Sequence, residues 1–194
     1  MTCTAMAHVL ATFCIVSATA KSIPSFAGPY IPVVQKIYMC GKNPSENPAL
    51  FFLKVSHFNP VKPHEKQNIT GNITLPFGAD DSYWVQTRVD KWSGNQWKEN
   101  FFVFRFPGGI CTSGRANAPD VFRVLFNHTI TSGPCFIKPG LYSVNNEPIS
   151  WRLPNIPALP YGSYRIWCKM GQISQETVSC QLCLEVSANP EMTL

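Results

Sequence analysis

The segment from residue 135 to residue 167 constrains the fold more than any other part of the chain, because prolines interrupt it every few residues. Each proline removes a backbone N–H donor and fixes φ near about −65°, so a helix cannot run through the segment. The apolar residues between the prolines are denser than a solvated loop would carry. The segment therefore predicts short extended strands joined by apolar connections. Its prolines are Pro139, Pro148, Pro154, Pro157 and Pro160.

The end of this segment alternates as a half-buried strand does, with Tyr164, Ile166 and Cys168 on one side and Arg165, Trp167 and Lys169 on the other. One interpretation makes the segment an edge of a β-sandwich with buried connections. The other makes its apolar residues the mouth of a cavity that admits a ligand. Both stay open at this point.

Length indicates the number of domains, and charge indicates which partners are expected. The chain has 194 residues, which is room for one domain with one continuous core. Its formal net charge is +5, charged residues make up 14%, and no run of four Lys or Arg residues occurs. A nucleic-acid partner is therefore not expected, because nucleic-acid-binding proteins cluster their basic residues.

Residues 1–20 predict a secretory signal peptide. A short apolar run ends in Ala18, Thr19 and Ala20, which is a small-residue cleavage pattern. The alternative is a buried N-terminal helix, but no capping residue precedes the run. We therefore expect an exported protein, extracellular or lysosomal, with one domain over residues 21–194.

Removal of residues 1–20 takes Cys3 and Cys14 away and leaves six of the eight cysteines. In an oxidising compartment these six are expected to form three disulfides, for which many connectivities are possible. Strand parity places Cys180 and Cys183 on opposite faces and so assigns them to different bridges. No second C-x-x-C pair accompanies them, so a metal site is not expected.

Residues 33–77 contain three segments that are predicted to be strands. Val33 to Cys40 and Leu50 to Phe58 are predicted to pair as a first hairpin across a turn-rich stretch. Residues 66–77 alternate cleanly between apolar and polar positions, and the polar side is expected to face water. Three glycosylation sequons occur in the chain, two of them on that polar side, although chance triplets are the alternative. They begin at Asn68, Asn72 and Asn127.

A second hairpin is predicted from Tyr83 to Phe106, with its turn at residues 93–95. Residues 101–104 are four consecutive apolar residues, which indicates a strand that is covered on both sides or faces something apolar. After the glycines at 108 and 109, a short helix is predicted from Val121 to Phe126, with Asp120 as its N-cap. A last hairpin is expected from Tyr164 to Val186.

The sequence offers little evidence of a catalytic site. No nucleophile elbow or zinc-protease motif occurs. The adjacent Asp80 and Asp81 would point to opposite faces of a strand, and His57, His64 and His128 lie in polar stretches typical of solvated side chains. The sequence therefore predicts a protein that is not an enzyme and carries no cofactor.

The chain's last third carries a resemblance to a known family. The segment CFIKPGLYS from Cys135, the proline-rich stretch, LPYGSYRIW from Leu159 and the final C-x-E-V at Cys183 are similar to the ganglioside-activator branch of the ML lipid-recognition superfamily. The insect chemosensory relatives of that branch share the sparse cysteines. The remainder of the chain is similar only in strand order and cysteine placement.

The resemblance implies an all-β fold: a two-sheet, immunoglobulin-like sandwich or cup of about eight antiparallel strands, with one short helix and an apolar cavity. Family order together with strand parity implies three disulfides, which are Cys40 with Cys183, Cys111 with Cys135, and Cys168 with Cys180.

The resemblance also implies a secreted or endolysosomal protein that holds a lipid and presents it to a glycoside hydrolase, meeting anionic membranes transiently. Two alternatives stay open: an extracellular carrier of a chemosensory ligand, with a chemosensory receptor as partner, and a structural or receptor-contacting sandwich that binds no lipid. The residues expected to line or rim the cavity are more apolar than local alternation requires. They are Trp97, Phe102, Phe104, Phe122, Leu125, Trp151, Ile156, Leu159 and Tyr161.

Overall fold

The structure is a computed structural model that describes residues 25–41, 46–126, 134–174 and 178–191. The expected signal peptide and the sequon at Asn127 lie outside these residues. The strands and helices in chain order are β1 (Ala27–Gly28), β2 (Tyr30–Met39), β3 (Leu50–Val55), β4 (Gln67–Leu75), β5 (Tyr83–Ser93), β6 (Gln96–Phe106), α1 (Gly109–Asn117), α2 (Pro119–Leu125), β7 (Gly140–Ile149), β8 (Leu159–Pro160), β9 (Gly162–Gln172) and β10 (Val178–Pro190).

The strands form three antiparallel sheets. A five-stranded sheet has the order β2-β10-β9-β5-β6, a three-stranded sheet has the order β3-β4-β7, and β1 pairs with β8. The two larger sheets pack face to face, since one apolar cluster contains Ile69 and Ile73 of β4 together with Met170 of β9. The predicted all-β antiparallel fold is confirmed. The ten described strands include two of only two residues, so the expected number of about eight matches the longer ones.

Strand β4 shows why alternation predicted this fold well. Ile69 and Ile73 are fully buried, whereas Thr70 and Asn72 are exposed. In a strand, successive side chains point to opposite faces, so one face of β4 packs on the core and the other meets water.

The β5–β6 hairpin is also as predicted. Its turn residues Gly94 and Asn95 both have φ of 59°, the conformation that a tight two-residue hairpin turn requires. Glycine and asparagine adopt positive φ at low cost, which explains why they occupy these two positions.

The predicted first hairpin is wrong. Strand β2 pairs with β10, and β3 pairs with β4, so the two strands lie in different sheets. The residues that hold β2 in place are distant in sequence: Cys183 of β10 bonds Cys40, and the Gln67 side chain of β4 hydrogen-bonds the backbone of Val34. Local propensity does not report such long-range partners.

The helical region differs from the prediction in two ways: α2 begins earlier than expected, and a second helix precedes it. Helix α2 begins at Pro119, and Asp120 makes no capping hydrogen bond because it lies inside the first turn. Proline is favoured at a first helical position, where its missing N–H costs nothing. Helix α1 was not predicted at all. Its start is held by Asp81, whose carboxylate accepts hydrogen bonds from the backbone N (2.9 Å) and Oγ1 (2.7 Å) of Thr112.

Two of the predicted disulfides are confirmed. Cys40 bonds Cys183 and Cys111 bonds Cys135, with Cα–Cα distances of 5.4 and 5.8 Å. The first ties the edge strand β2 to β10. The second ties α1 to the segment that leads into β7.

The third predicted disulfide, Cys168 with Cys180, is wrong, because both cysteines are free thiols. The register explains the difference. Cys168 lies opposite Leu182 and Cys180 lies opposite Met170, so the two cysteines are diagonal neighbours on one face instead of a facing pair. Burial raises the pKa of both thiols, that of Cys180 to about 12.

Candidate functional site

The inner face of the five-stranded sheet forms an apolar surface, which we call the inner wall. Its rows follow from the register: Phe102 lies opposite Val89, which lies opposite Ile166, which lies opposite Leu184. A second row contains Phe104, Thr87, Cys168 and Leu182. These positions share a face with Val85 and Met170, which pack in the main core.

The inner wall is open at β6. Phe102 is 46% exposed and Phe104 is 38% exposed, although both point to the side on which the other sheet packs. Their neighbours in the rows, Val89, Ile166 and Leu184, are only half-buried. Strand β6 is the sheet edge, and the three-stranded sheet leaves its inward aromatic rings partly uncovered. Exposed apolar surface of this kind is characteristic of binding sites.

A bulge in β6 adds one more ring to this surface. The register jumps from Val89 opposite Phe102 to Lys91 opposite Lys98, so residues 99–101 face Asp90 alone. Asn100 takes a φ of 55° there, and its backbone N donates to Asp90 Oδ1 at 3.0 Å. As a result the Phe101 ring packs edge-on against Phe102, with centroids 4.6 Å apart.

Lys91 marks the end of the inner wall near the hairpin tip. Its Nζ lies 5.4 Å from the Phe101 ring centroid and 5.8 Å from the Tyr164 ring centroid. Burial and the neighbouring Tyr30 raise the pKa of Tyr164 to about 12, and its hydroxyl donates to the backbone oxygen of Pro160. Tyr164 therefore remains a neutral donor at physiological pH.

The nine residues expected to line a cavity are divided among several places. Phe102 and Phe104 lie on the inner wall. Ile156, Leu159 and Tyr161 lie beside it, packed on a second apolar cluster of Tyr30, Tyr164 and Ala188 that also contacts Val89. Val89, which lies opposite Phe102, connects the inner wall to this second cluster.

The other four lie elsewhere. Phe122 and Leu125 of α2 are buried in the main core, and Trp151 packs against that core from its edge. Trp97 is on the outer face, where Arg165 stacks over its ring at 4.3 Å. Strand alternation already implied that Trp97 and Phe102 lie on opposite faces, because they are an odd number of residues apart.

The outer face of the five-stranded sheet carries a layer of stacked side chains. Arg88 covers Trp167 at 4.3 Å and Arg105 covers Trp84 at 4.8 Å. Asp90, only 1% exposed, accepts hydrogen bonds from Arg88 at 3.1 Å and from Trp167 Nε1 at 2.9 Å. These rings and charges contact one another, so we assign the layer a structural role.

A small cavity of about 230 Å³ lies at another edge, where Ile31, Phe58 and Trp151 meet Lys66 and Arg152. The volume is below the roughly 300–1,000 Å³ of ordinary ligand pockets. Its basic side chains already have partners: Arg152 pairs with Glu191, His64 Nδ1 lies 3.8 Å from a Glu191 oxygen, and Lys66 pairs with Asp120 at 3.3 Å.

Within the residues that the structure describes, no group of three or more His, Cys, Asp or Glu side chains could hold a metal ion. Asp80 and Asp81 have separate structural roles. Asp81 holds the start of α1, and hydrogen bonds from Ser82 lower the pKa of Asp80. Across the described ranges, no helix combines the length and apolarity needed to cross a membrane.

Two of the sequons lie on the solvent side of β4. Asn72 is exposed. Asn68 is half-buried, and its amide donates to Asn146 Oδ1 at 3.1 Å. Asn72 is therefore the more accessible acceptor of the two, and glycosylation at both remains a prediction.

Comparisons with known proteins give similarities among solved structures only. No family model matches the chain, and no curated protein matches it. Among solved structures, the chain is similar to chicken MD-1 in complex with lipid IVa, with 11% sequence identity and a TM-score of 0.32. The similarity covers 85% of this chain and 99% of that chain. A TM-score this low does not establish a shared topology.

Proposed function

We propose that this protein is an exported, non-enzymatic lipid-binding protein that holds an acyl chain against the inner wall. The observation that carries the proposal is the exposure of Phe102 and Phe104, at 46% and 38%, on the inward face of the sheet. Each CH₂ group that moves from water onto such a surface gains about 0.8 kcal/mol. A long chain can therefore be held without polar contacts along its length.

The shape of the inner wall favours an elongated ligand. The row from Phe102 through Val89 and Ile166 to Leu184 crosses four strands. Three strand spacings of about 4.8 Å make this row roughly 14 Å long. A compact polar ligand would find no charged partner along it, whereas a hydrocarbon chain would contact apolar side chains throughout.

Export is supported by chemistry as well as by the N-terminal sequence. The Cys40–Cys183 and Cys111–Cys135 disulfides persist in oxidising compartments and are rare in the cytosol. An extracellular protein and a lysosomal one would both meet this condition.

The narrower role of presenting a glycolipid to a hydrolase is supported by the sequence resemblance to ganglioside activators. Those activators carry additional cysteines in the region that corresponds to residues 112–134, and this chain has none there. The chemosensory relatives offer the alternative role of a carrier that releases its ligand at a receptor.

The test is to secrete the protein from eukaryotic cells, extract it with organic solvent and identify co-purified lipids by mass spectrometry. We expect one or more long-chain lipids at near-stoichiometric amounts. The variant F102S/F104S should lose most of this lipid. V103S is the matched control, because Val103 is 50% exposed on the same strand but faces outward.

The identity of the lipid separates the narrower roles, since a glycosphingolipid favours the hydrolase partner and a small volatile ligand favours the chemosensory carrier. If wild type carries no lipid and F102S/F104S changes only stability, the aromatic residues are ordinary core. A structural or receptor-contacting sandwich would then be the correct assignment.

A further inference from the structure

Two lysines face each other at one end of the inner wall. Lys91 of β5 lies directly opposite Lys98 of β6, and on its other side Lys91 lies opposite Tyr164 of β9. Tyr164 belongs to the inward apolar cluster, so Lys91 and Lys98 are on the inner face as well. Like charges directly opposite each other on a sheet face are destabilising.

The structure pairs neither lysine with a counter-ion among the residues that it describes. Among the described residues, no carboxylate lies within 4.0 Å of either ammonium group. Asp90, next to Lys91 in sequence, points to the outer face, where its Oδ2 accepts hydrogen bonds from Arg88 and Trp167. The Lys91 ammonium instead rests over the rings of Phe101 and Tyr164. Such cation–π contacts leave its N–H donors free for an anion.

The lysines are continuous with the apolar surface. The Phe101 ring, which lies below Lys91 Nζ, packs against Phe102, the first residue of the exposed row. A ligand whose chain lay on Phe102 and Val89 would therefore bring its head group to the two lysines. An anionic group there would also relieve the repulsion between them.

We infer that the ligand of the inner wall is an anionic amphiphile, with a carboxylate or phosphate head group held between Lys91 and Lys98. This inference rests on the proposed lipid-binding function and narrows it to acidic lipids. Both head groups offer the same chemistry, an anionic oxygen cluster that accepts hydrogen bonds from ammonium groups.

The experiment compares three probes with the same oleoyl chain: oleate, oleoyl lysophosphatidate and neutral monoolein. Binding to delipidated protein is measured by calorimetry below the micelle concentration, at low and high salt. We expect both anions, or one of them, to bind at least about tenfold more tightly than monoolein, which corresponds to roughly 1.4 kcal/mol. Whichever anion binds more tightly identifies the head-group source.

K91Q/K98Q should lose this preference and retain monoolein binding. K36Q/K169Q is the matched control, since it removes the same charge from the outer face of the same sheet. It should leave the preference intact.

K98Q alone should also raise the melting temperature of the ligand-free protein, because it removes one of two facing like charges. This measurement does not depend on any ligand.

The outcomes separate the two hypotheses. If wild type binds monoolein as tightly as both anions, or if the double variant keeps the preference, the assignment of an acidic lipid is overturned while lipid binding stands. If none of the three probes binds, the proposed function fails and this inference fails with it.

Discussion

The side chain of Gln67 replaces a missing strand neighbour for Val34: the backbone N of Val34 donates to Gln67 Oε1, and Gln67 Nε2 donates to the backbone O of Val34, each at 2.9 Å. Gln67 Nε2 also donates to the backbone oxygen of Ser56 at 2.8 Å. Val34 is in the five-stranded sheet and Gln67 in the three-stranded one. One amide therefore bonds the backbone of Val34 in one layer and that of Ser56, which follows β3, in the other.

Replacing Gln67 with leucine should destabilise the protein by roughly 1–3 kcal/mol, because buried backbone groups of Val34 lose their partners. Urea denaturation followed by tryptophan fluorescence measures this change. Gln35 provides the control, because its amide bonds Ser187 at the surface, where water can replace it. An equal effect from Q35L would contradict the bridging role of Gln67.

The two disulfides should differ in their contribution to stability. They join residues that are 143 and 24 positions apart. The chain-entropy argument gives roughly 5 kcal/mol for the longer loop and roughly 3.5 kcal/mol for the shorter. C40A/C183A should therefore unfold at lower urea concentration than C111A/C135A, and the reverse order would show that native-state packing outweighs loop entropy.

Cys168 and Cys180 should react slowly with iodoacetamide in the native protein at pH 8 and quickly after unfolding. The thiolate is the reactive form, and burial raises the pKa of both thiols, so almost none is present at that pH. Native labelling should rise as the pH approaches the pKa of about 12. Recovery of a peptide that joins Cys168 to Cys180 under non-reducing conditions would contradict the structure.

The Asp120 carboxylate should make the free energy of unfolding fall at low pH. Burial alone would raise the pKa of this carboxyl, but hydrogen bonds from Arg123, the backbone N of Ser150 and Lys66 lower it further than burial raises it. A lowered pKa means that the stabilisation is complete above the unfolded value, near about 3.9, and is lost as the pH falls through the folded value.

The comparison of wild type with D120N tests this sign. At pH 7 we expect the variant to be less stable by about 1–3 kcal/mol, since charge-assisted hydrogen bonds are lost. The gap should close in urea titrations below about pH 4. A gap that stays constant down to pH 2 would mean that the charge of Asp120 is not what stabilises the fold.

Asp90 links the outer layer to the site. It holds Arg88 and Trp167 on one side and, through the backbone N of Asn100, fixes the bulge that turns Phe101 toward Lys91. D90A leaves a half-buried arginine without its partner and should cost about 3–5 kcal/mol. D90N keeps the acceptor for Asn100, so it should lose stability but preserve lipid binding better than D90A.

Much of the fold could be predicted from sequence because it rests on local signals. The alternation of residues 67–75 and the positive-φ turn at Gly94 and Asn95 are readable from a few neighbouring residues. Phe102 and Phe104 were expected to line or rim a cavity, and the structure places both on the inward face of β6. How far the two rings are covered depends on which strand forms the sheet edge. The order of strands in the sheet decides this, and local sequence does not show that order.

The errors share a physical cause, which is a partner far away in sequence. The first turn of helix α1 is held by Asp81, which bonds Thr112 from 31 residues earlier in the chain. Strand β2 finds its neighbour in β10, near the end of the chain. For Cys168 and Cys180, a shift of two residues in register separated a pair that parity alone had placed on one face. Parity fixes the face of a side chain, but it does not fix the partner.

The position of β6 at the sheet edge has a consequence for biosynthesis. Among the described strands, β6 has a neighbour on one side only, so it exposes inward aromatic rings and a backbone edge at the same time. Free apolar edges recruit other chains, so newly made protein without a ligand should associate with itself as its concentration rises. A lipid that covers Phe102 and Phe104 during folding would then act as a folding cofactor, and the yield of monomer from a producing cell would follow that cell's lipid supply.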